Sequence, residues 1–267
     1  MTCASLAMYD MLAPVREGND RLWHFVRGRL RASGFGAPDD LDRLSPYDAP
    51  WHDPGLVLAQ ACGYPYITAL RGKVRLVATP VYAFPGGEGT SRASYVVVAE
   101  RSAATRIEDL RGTTAAINDP ASNSGMNLLR AMIAPLAASG RFFSDVIVTG
   151  GHLASLEAVR TGRASVAAVD TVTFGLLERH AQQMVKGVRI LTETPRGPGL
   201  PFITRIDASD GELPTLRAAI ADAIADPSLG LSQSLGLVGL EILGDRDYLV
   251  LDVYRQQAEA ACYPAIA

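Results

Sequence analysis

An α/β protein, with mostly parallel sheets covered by helices, is what this sequence predicts. Three observations predict it. Strand and helix patterns alternate almost throughout the chain. Short β-branched apolar runs stand where inner strands would lie. Small polar residues follow most of these runs and precede a helical pattern. With 48% hydrophobic and 20% charged residues among 267, a packed core is expected and a disordered chain is excluded. The net charge is −3 and no run of Lys or Arg occurs, so the basic stripe of a nucleic-acid binder is missing. No stretch approaches the ~20 apolar residues of a membrane span, so no membrane insertion is expected.

The elements follow in order. Ser5–Met8 reads as a short buried strand. Asn19–Ala32 reads as a helix with Leu22, Phe25, Val26 and Leu30 at helical spacing. Leu56–Cys62 reads as a helix begun after Asp53 and Pro54. Val74–Thr79 and Tyr95–Ala99 are β-branched strands. The middle repeats one rhythm: strands Thr113–Ile117, Val146–Thr149 and Val166–Val169, followed by helices Gly125–Ala138, Leu153–Thr161 and Val172–Gln182. Val188–Leu191 is a further strand. The Pro- and Gly-rich stretch 195–201 then breaks the rhythm and reads as a crossing or hinge. The remainder reads as mainly helical, with Leu213–Ala225 its clearest element.

The strongest local signal is the segment 118–125, Asn-Asp-Pro-Ala-Ser-Asn-Ser-Gly, between a strand and a helix. Ser122, Asn123 and Ser124 are N-capping residues. Such a helix start, ending here in Gly125, exposes unpaired N–H groups and the positive end of the macrodipole. Two hydroxyls and an amide added to it would suit phosphate, phosphonate, sulfonate or carboxylate. An ordinary helix cap is the plainer reading of the same residues. His152 and Asp170 follow the next two strands of the rhythm, and ligands of open α/β sheets gather beyond the carboxyl ends of strands. Singly each is another cap; together with the serines they form one polar cluster. Tyr9 ends the first strand, and Tyr64, Tyr66 and Tyr82 follow elements nearby, so these tyrosines are candidates for a pocket wall or for plain packing.

Other signals carry less. The glycine-rich run 86–90 lacks the GK[ST] ending of a P-loop, and no GxSxG elbow occurs. His24, His52, His152 and His180 have no metal-type pairing, so no metal and no cofactor are expected. Cys3, Cys62 and Cys262 lie far apart without CxxC spacing and read as free thiols, with no disulfide expected. The start of the chain is uncharged through Ala7, and Asp10 follows, which is not the pattern of a secretory leader. The expected location is periplasmic if a leader has been removed, and otherwise cytoplasmic.

These motifs together resemble the phosphate/phosphite/phosphonate-binding component of ABC transporters, within the type II periplasmic-binding-protein fold. The matching stretches are Ile-Glu-Asp-Leu-Arg-Gly at 107–112, Ser-Asn-Ser-Gly at 122–125, the run 149–159 that contains His152, and the run 162–170 that ends at Asp170. Asn123 stands where the family often has Thr. The resemblance implies two lobes joined by two crossing segments, which the Pro/Gly break and the helices after it place near Ser91–Tyr95 and Arg196–Thr204. Lobe one would be 1–92 plus 200–267, and lobe two 93–199. It makes Ser122, Asn123, Ser124, Gly125, His152 and Asp170 ligand contacts, with Tyr9 contributed by the first lobe. The lobes would close by a hinge on one small anionic ligand, with an ABC permease as the partner in uptake. The N–H groups of Ser124 and Gly125 and the two serine hydroxyls would hold the anion. His152 would donate, and Asp170 would accept a proton from a monoprotonated phosphonate or an ammonium group.

Two rival readings use the same fold. One is an enzyme like chorismate dehydratase or a thiamine-pyrimidine synthase, with His152 and Asp170 as acid and base, although spacing shows no nucleophile–base pair. The other is a cytoplasmic sensor that docks on another protein.

Overall fold

The computed structural model describes residues 2–267. The chain divides into two compact units. One runs to Ala83 and resumes over Pro198–Asp247; the other holds Phe84–Gly197 and Tyr248–Ala267. The second division point lies within the Pro- and Gly-rich stretch. A third, inside the helix Asp245–Ala260, adds to the two crossings expected from sequence. Residues 84–92 and 248–267 thus belong with the second unit, not with the first as the sequence reading had them. For the C-terminus the reason is hydrogen bonding. Asn127 Nδ2 donates to the Leu251 carbonyl at 3.0 Å, Arg130 Nη1 to the Pro264 carbonyl at 2.6 Å, and the Phe142 and Phe143 N–H groups to the Ala267 carbonyl. Buried donors need such partners, and here the C-terminal segment supplies them.

The first unit is built on a five-stranded sheet ordered Cys3–Ser5, Leu56–Gln60, Phe202–Arg205, Val74–Tyr82, Leu237–Glu241. Its first pair is parallel and the rest antiparallel. Leu56–Gln60 is therefore a strand, not the helix expected from its apolar run. All five residues are buried, and a strand covered on both faces loses the alternation that marks strands in sequence. Leu237–Glu241 also escapes the mainly helical reading of the C-terminal part. The helix Ala13–Ala32 starts six residues earlier than periodicity suggested, because Pro14 pre-sets its first turn. It buries Val15, Leu22, Trp23, Val26 and Leu30 on one face and packs against the helix Glu212–Ala225.

The second unit carries a five-stranded sheet ordered Val188–Glu193, Ser94–Ala99, Val166–Asp170, Thr114–Ile117, Asp145–Val148. The last three strands are mutually parallel, with Thr114–Ile117 in the middle. Each leads directly into a helix. Thr114–Ile117 leads to a π-helical turn Asn123–Asn127 continuing as Leu128–Ile133, Asp145–Val148 to His152–Arg160, and Val166–Asp170 to Thr171–His180. Parallel strands in register put these three helix starts on the same sheet edge, and that edge positions the site.

Candidate functional site

The middle strand is buried from Ala115 to Ile117, and the chain turns as it leaves the sheet. Asp119 Oδ1 accepts from the Ala121 N–H at 2.6 Å, and the Asp119 carbonyl from the Ser122 N–H at 3.0 Å, an Asx-type turn. Ser122 is extended (φ −70°, ψ 137°), and its Oγ accepts from the Gly125 N–H at 3.1 Å. That cap corrects one detail of the sequence reading: the Gly125 N–H is already engaged within the turn and is not offered to an anion. Gly125 matters for a different reason. A Cβ there would lie 1.8 Å from Asn118 Oδ1 and 3.2 Å from His152 Cε1. The backbone at 125 must be bare so that Asn118 and His152 can close over it.

His152 reaches this point from the neighbouring strand. The Thr149 N–H donates to the Ile117 carbonyl and the Gly150 N–H to the Asn118 carbonyl, both at 2.9 Å, so the two strand ends are tied together. Thr149 Oγ1 lies 2.7 Å from Ser155 Oγ, which anchors the first turn of the helix. His152 Nε2 then lies 2.9 Å from Ser124 Oγ. The residue is partly exposed, but its Nδ1 is buried and makes no hydrogen bond of good geometry. Burial lowers the pKa of the imidazole below 6.5. The Asp170 charge and the nearby Ala168 carbonyl oppose that shift without overcoming it.

Asp170 ends the third strand and caps the helix after it. Its Oδ1 accepts from the Thr173 N–H at 2.8 Å, and the residue is 5% exposed. A buried arginine holds the next residue in place. Arg92 donates from Nε at 3.2 Å and from Nη2 at 2.9 Å to Thr171 Oγ1, which itself donates to the Ala93 carbonyl. Across the sheet Asp170 pairs with Ser94, whose Oγ is buried without a partner among the described residues.

The structure thus brings Ser122, Asn123, Ser124, Gly125, His152 and Asp170 to one edge of the second unit. Sequence reasoning had not singled out Asn118, Ser94 or Arg92. Asn118 lies inside the conspicuous motif, and its place directly after the strand was an available signal. Ser94 and Arg92 matter through pairing partners far along the chain, which no local pattern reveals.

In the first unit the tyrosines separate. Tyr9 and Tyr82 meet edge to face, with ring centroids 5.6 Å apart, and Gln60 Nε2 donates to Tyr82 Oη at 3.1 Å. Both rings line a small cavity with Leu6, Asn19 and Phe202. Tyr64 and Tyr66 do not line it. Tyr66 is 1% exposed, and its hydroxyl donates to the Asp245 carboxylate, which also accepts from Arg71 Nε at 3.0 Å. Burial and that carboxylate push its pKa well above the ordinary phenol value. Tyr66 is therefore an internal fastener of the first unit.

Among the described residues, no group of His, Cys, Asp or Glu is placed to hold a metal, and Cys3, Cys62 and Cys262 are free. No helix among them is long and apolar enough to cross a membrane.

Comparison with known proteins bears on this site. A family model described as ABC transporter, phosphonate, periplasmic substrate-binding protein matches residues 56–248, well over half of the chain. The chain belongs to that family. Among solved structures, PhnD1 of Prochlorococcus marinus in complex with methylphosphonate superposes with a TM-score of 0.78 at 13% identity, over 97% of this chain and 98% of that one. A Xanthomonas citri protein bound to ATP gives 0.73 at 17% identity, over 98% of each chain. A binding-protein component of an ABC phosphonate transporter from Pseudomonas aeruginosa gives 0.71 at 17%, over 98% of this chain and 88% of that one. At such identities the likeness shows the fold, which is the two-lobed α/β fold of periplasmic binding proteins. No curated protein matches the chain by sequence.

Proposed function

We propose that the protein binds a small oxyanion of the phosphonate or phosphate class at the carboxyl edge of its second unit, as the solute-binding component of ABC-type uptake. The observation that carries this reading is the Ser124–His152 pair, 2.9 Å apart, at a helix start flanked by Asp170. The positive end of the helix dipole favours negative charge. Ser124 brings a hydroxyl to it. Asp170 adds a carboxylate, which repels a fully ionised ligand but accepts a hydrogen bond from a monoprotonated one. We assign Ser122 to shaping the turn, and Asn123, Ser124, His152 and Asp170 to the ligand. The family is periplasmic, so we place the protein's action there, with a permease as its partner.

An enzymatic reading gains one point and loses another. The Ser124–His152 distance is that of a nucleophile and its base. A working pair also needs the base oriented by a third group. Here Asp170 Oδ1 is bonded to the Thr173 N–H, and His152 Nδ1 makes no hydrogen bond to it. The arrangement suits binding better than acyl transfer.

Calorimetry with methylphosphonate, phosphate, methanesulfonate and acetate tests the proposal. Methylphosphonate should bind, and should bind more tightly than methanesulfonate, which has the same shape but brings no proton to Asp170. Equal affinity for the two would remove Asp170 from the ligand's surroundings. Binding of none of the four would remove the anion site.

A further inference from the structure

We propose that His152 takes up a proton when an anion binds beside Ser124, passing from a neutral ring in the empty protein to a doubly protonated one in the complex. This rests on the anion-site reading above and adds to it where the proton goes.

A neutral imidazole has one N–H, and a serine hydroxyl has one hydrogen. At 2.9 Å, one hydrogen lies between Ser124 Oγ and His152 Nε2. If Ser124 supplies it, the serine oxygen has only lone pairs left for the ligand, and an anion is repelled. If Nε2 supplies it, the serine hydrogen is free to point at the anion. The buried Nδ1 is then a bare acceptor, in a site where the Ala168 carbonyl also lies near the ring. Either neutral form leaves one bad contact. The protonated ring eases both: Nδ1 carries a hydrogen, which the Ala168 carbonyl near the ring favours, Nε2–H donates to Ser124 Oγ, and the serine O–H donates to the anion.

The rest of the surroundings agree. The charged side chain that the imidazole feels is Asp170, which favours the cation. Asn118 Oδ1, another buried acceptor without a partner, fills the Cβ space of Gly125, within 3.2 Å of which lies His152 Cε1. Among the described residues, the groups that act on the ring, Asp170 and the Ala168 carbonyl, both favour the cation. Burial alone keeps it neutral when the site is empty. A bound anion adds negative charge at Ser124 and tips the balance. The balance of the step is simple: one proton leaves solvent, one N–H bond forms, and nothing else breaks.

The sign of the pH dependence follows. The free ring titrates below 6.5, and the ring beside an anion would titrate above its free value. Between those two values each bound anion brings in one proton. Affinity for a proton-free anion then falls up to tenfold per pH unit as pH rises through that window, and levels off on either side.

The test compares the parent with His152→Gln, whose amide can donate to Ser124 Oγ but does not titrate near neutrality. Methylphosphonate binding is measured by calorimetry at pH 7 in two buffers of different ionisation enthalpy, which reports protons taken up per ligand. The ligand's own protonation is common to both proteins, so the parent should take up more protons per ligand than the variant does, by at most one. Nitrogen NMR of His152 in the parent should show one protonated ring nitrogen when empty and two at saturation. Equal proton counts, or a ring still neutral at saturation, would overturn the coupling and leave the anion site standing. If the variant fails to fold or to bind, the NMR of the parent decides. A parent that binds none of methylphosphonate, phosphate, methanesulfonate and acetate would overturn the anion site and the coupling with it.

Discussion

The two five-stranded sheets use their polar residues differently. In the first unit, polar side chains near the strand ends are engaged with one another. Tyr66 is fastened to Asp245, Gln60 to Tyr82, and Asp10 accepts from Asn19 and from Arg43. In the second unit, the corresponding edge holds buried atoms without partners among the described residues: Ser94 Oγ, Asn118 Oδ1 and His152 Nδ1. A buried polar group without a hydrogen bond destabilises the fold and calls for an explanation such as a ligand. The comparison teaches that an aromatic-rich edge can be finished as structure, while a cap-rich edge of parallel strands is left with capacity to spare.

Substitutions can break that comparison. The largest effect is expected for Gly125→Ala, whose Cβ would overlap Asn118 Oδ1 at 1.8 Å. Displacing Asn118 and the His152 ring should cost about 1–3 kcal/mol of stability, read by urea denaturation, and should abolish methylphosphonate binding. If the variant binds as the parent does, the packing of this edge is irrelevant to the ligand.

Next come the two serines, which the structure separates. Ser124→Ala should weaken methylphosphonate by roughly ten- to a hundredfold, as expected for a lost bond of about 1.5–3 kcal/mol to a charged group. Ser122→Ala removes a cap and should instead cost stability, about 1 kcal/mol. Calorimetry beside thermal melting sorts the two, and an exchange of their effects would reverse the assignment.

In the first unit, Tyr66→Phe should cost about 1.5 kcal/mol, because Arg71 still holds Asp245 when the hydroxyl is gone. Methylphosphonate affinity should not change. A clear loss of affinity would return Tyr66 to the pocket. The smallest effect is a gain. Gly28 lies inside the helix Ala13–Ala32 with open space where a Cβ would go, so Gly28→Ala should stabilise by about 0.5–1 kcal/mol. Denaturation of the two glycine variants side by side contrasts a bare backbone that is required with one that is not.

Much of the second unit was legible in the chain, and less of the first. Ser122, His152 and Asp170 stand where a β-branched run gives way to a helical pattern, and capping depends on residues two to four positions apart. Local sequence therefore determined the three strand-to-helix passages, the residues that open each helix, and the presence of polar groups at one edge. Leu56–Gln60 was misread because burial on both faces leaves a strand with no alternation to see. Leu237–Glu241 was missed because its pairing partner, Val74–Tyr82, is far away in the chain. The C-terminal helix was assigned to the wrong unit because helical periodicity says that a face is buried, not against what. The tertiary structure alone decided that Ser122 takes the Gly125 N–H, that Ser124 meets His152, and that Tyr66 is bound to Asp245. The last two are pairings between distant segments. Which donor meets which acceptor there is set by the packing of whole elements, and no spacing along the chain records it.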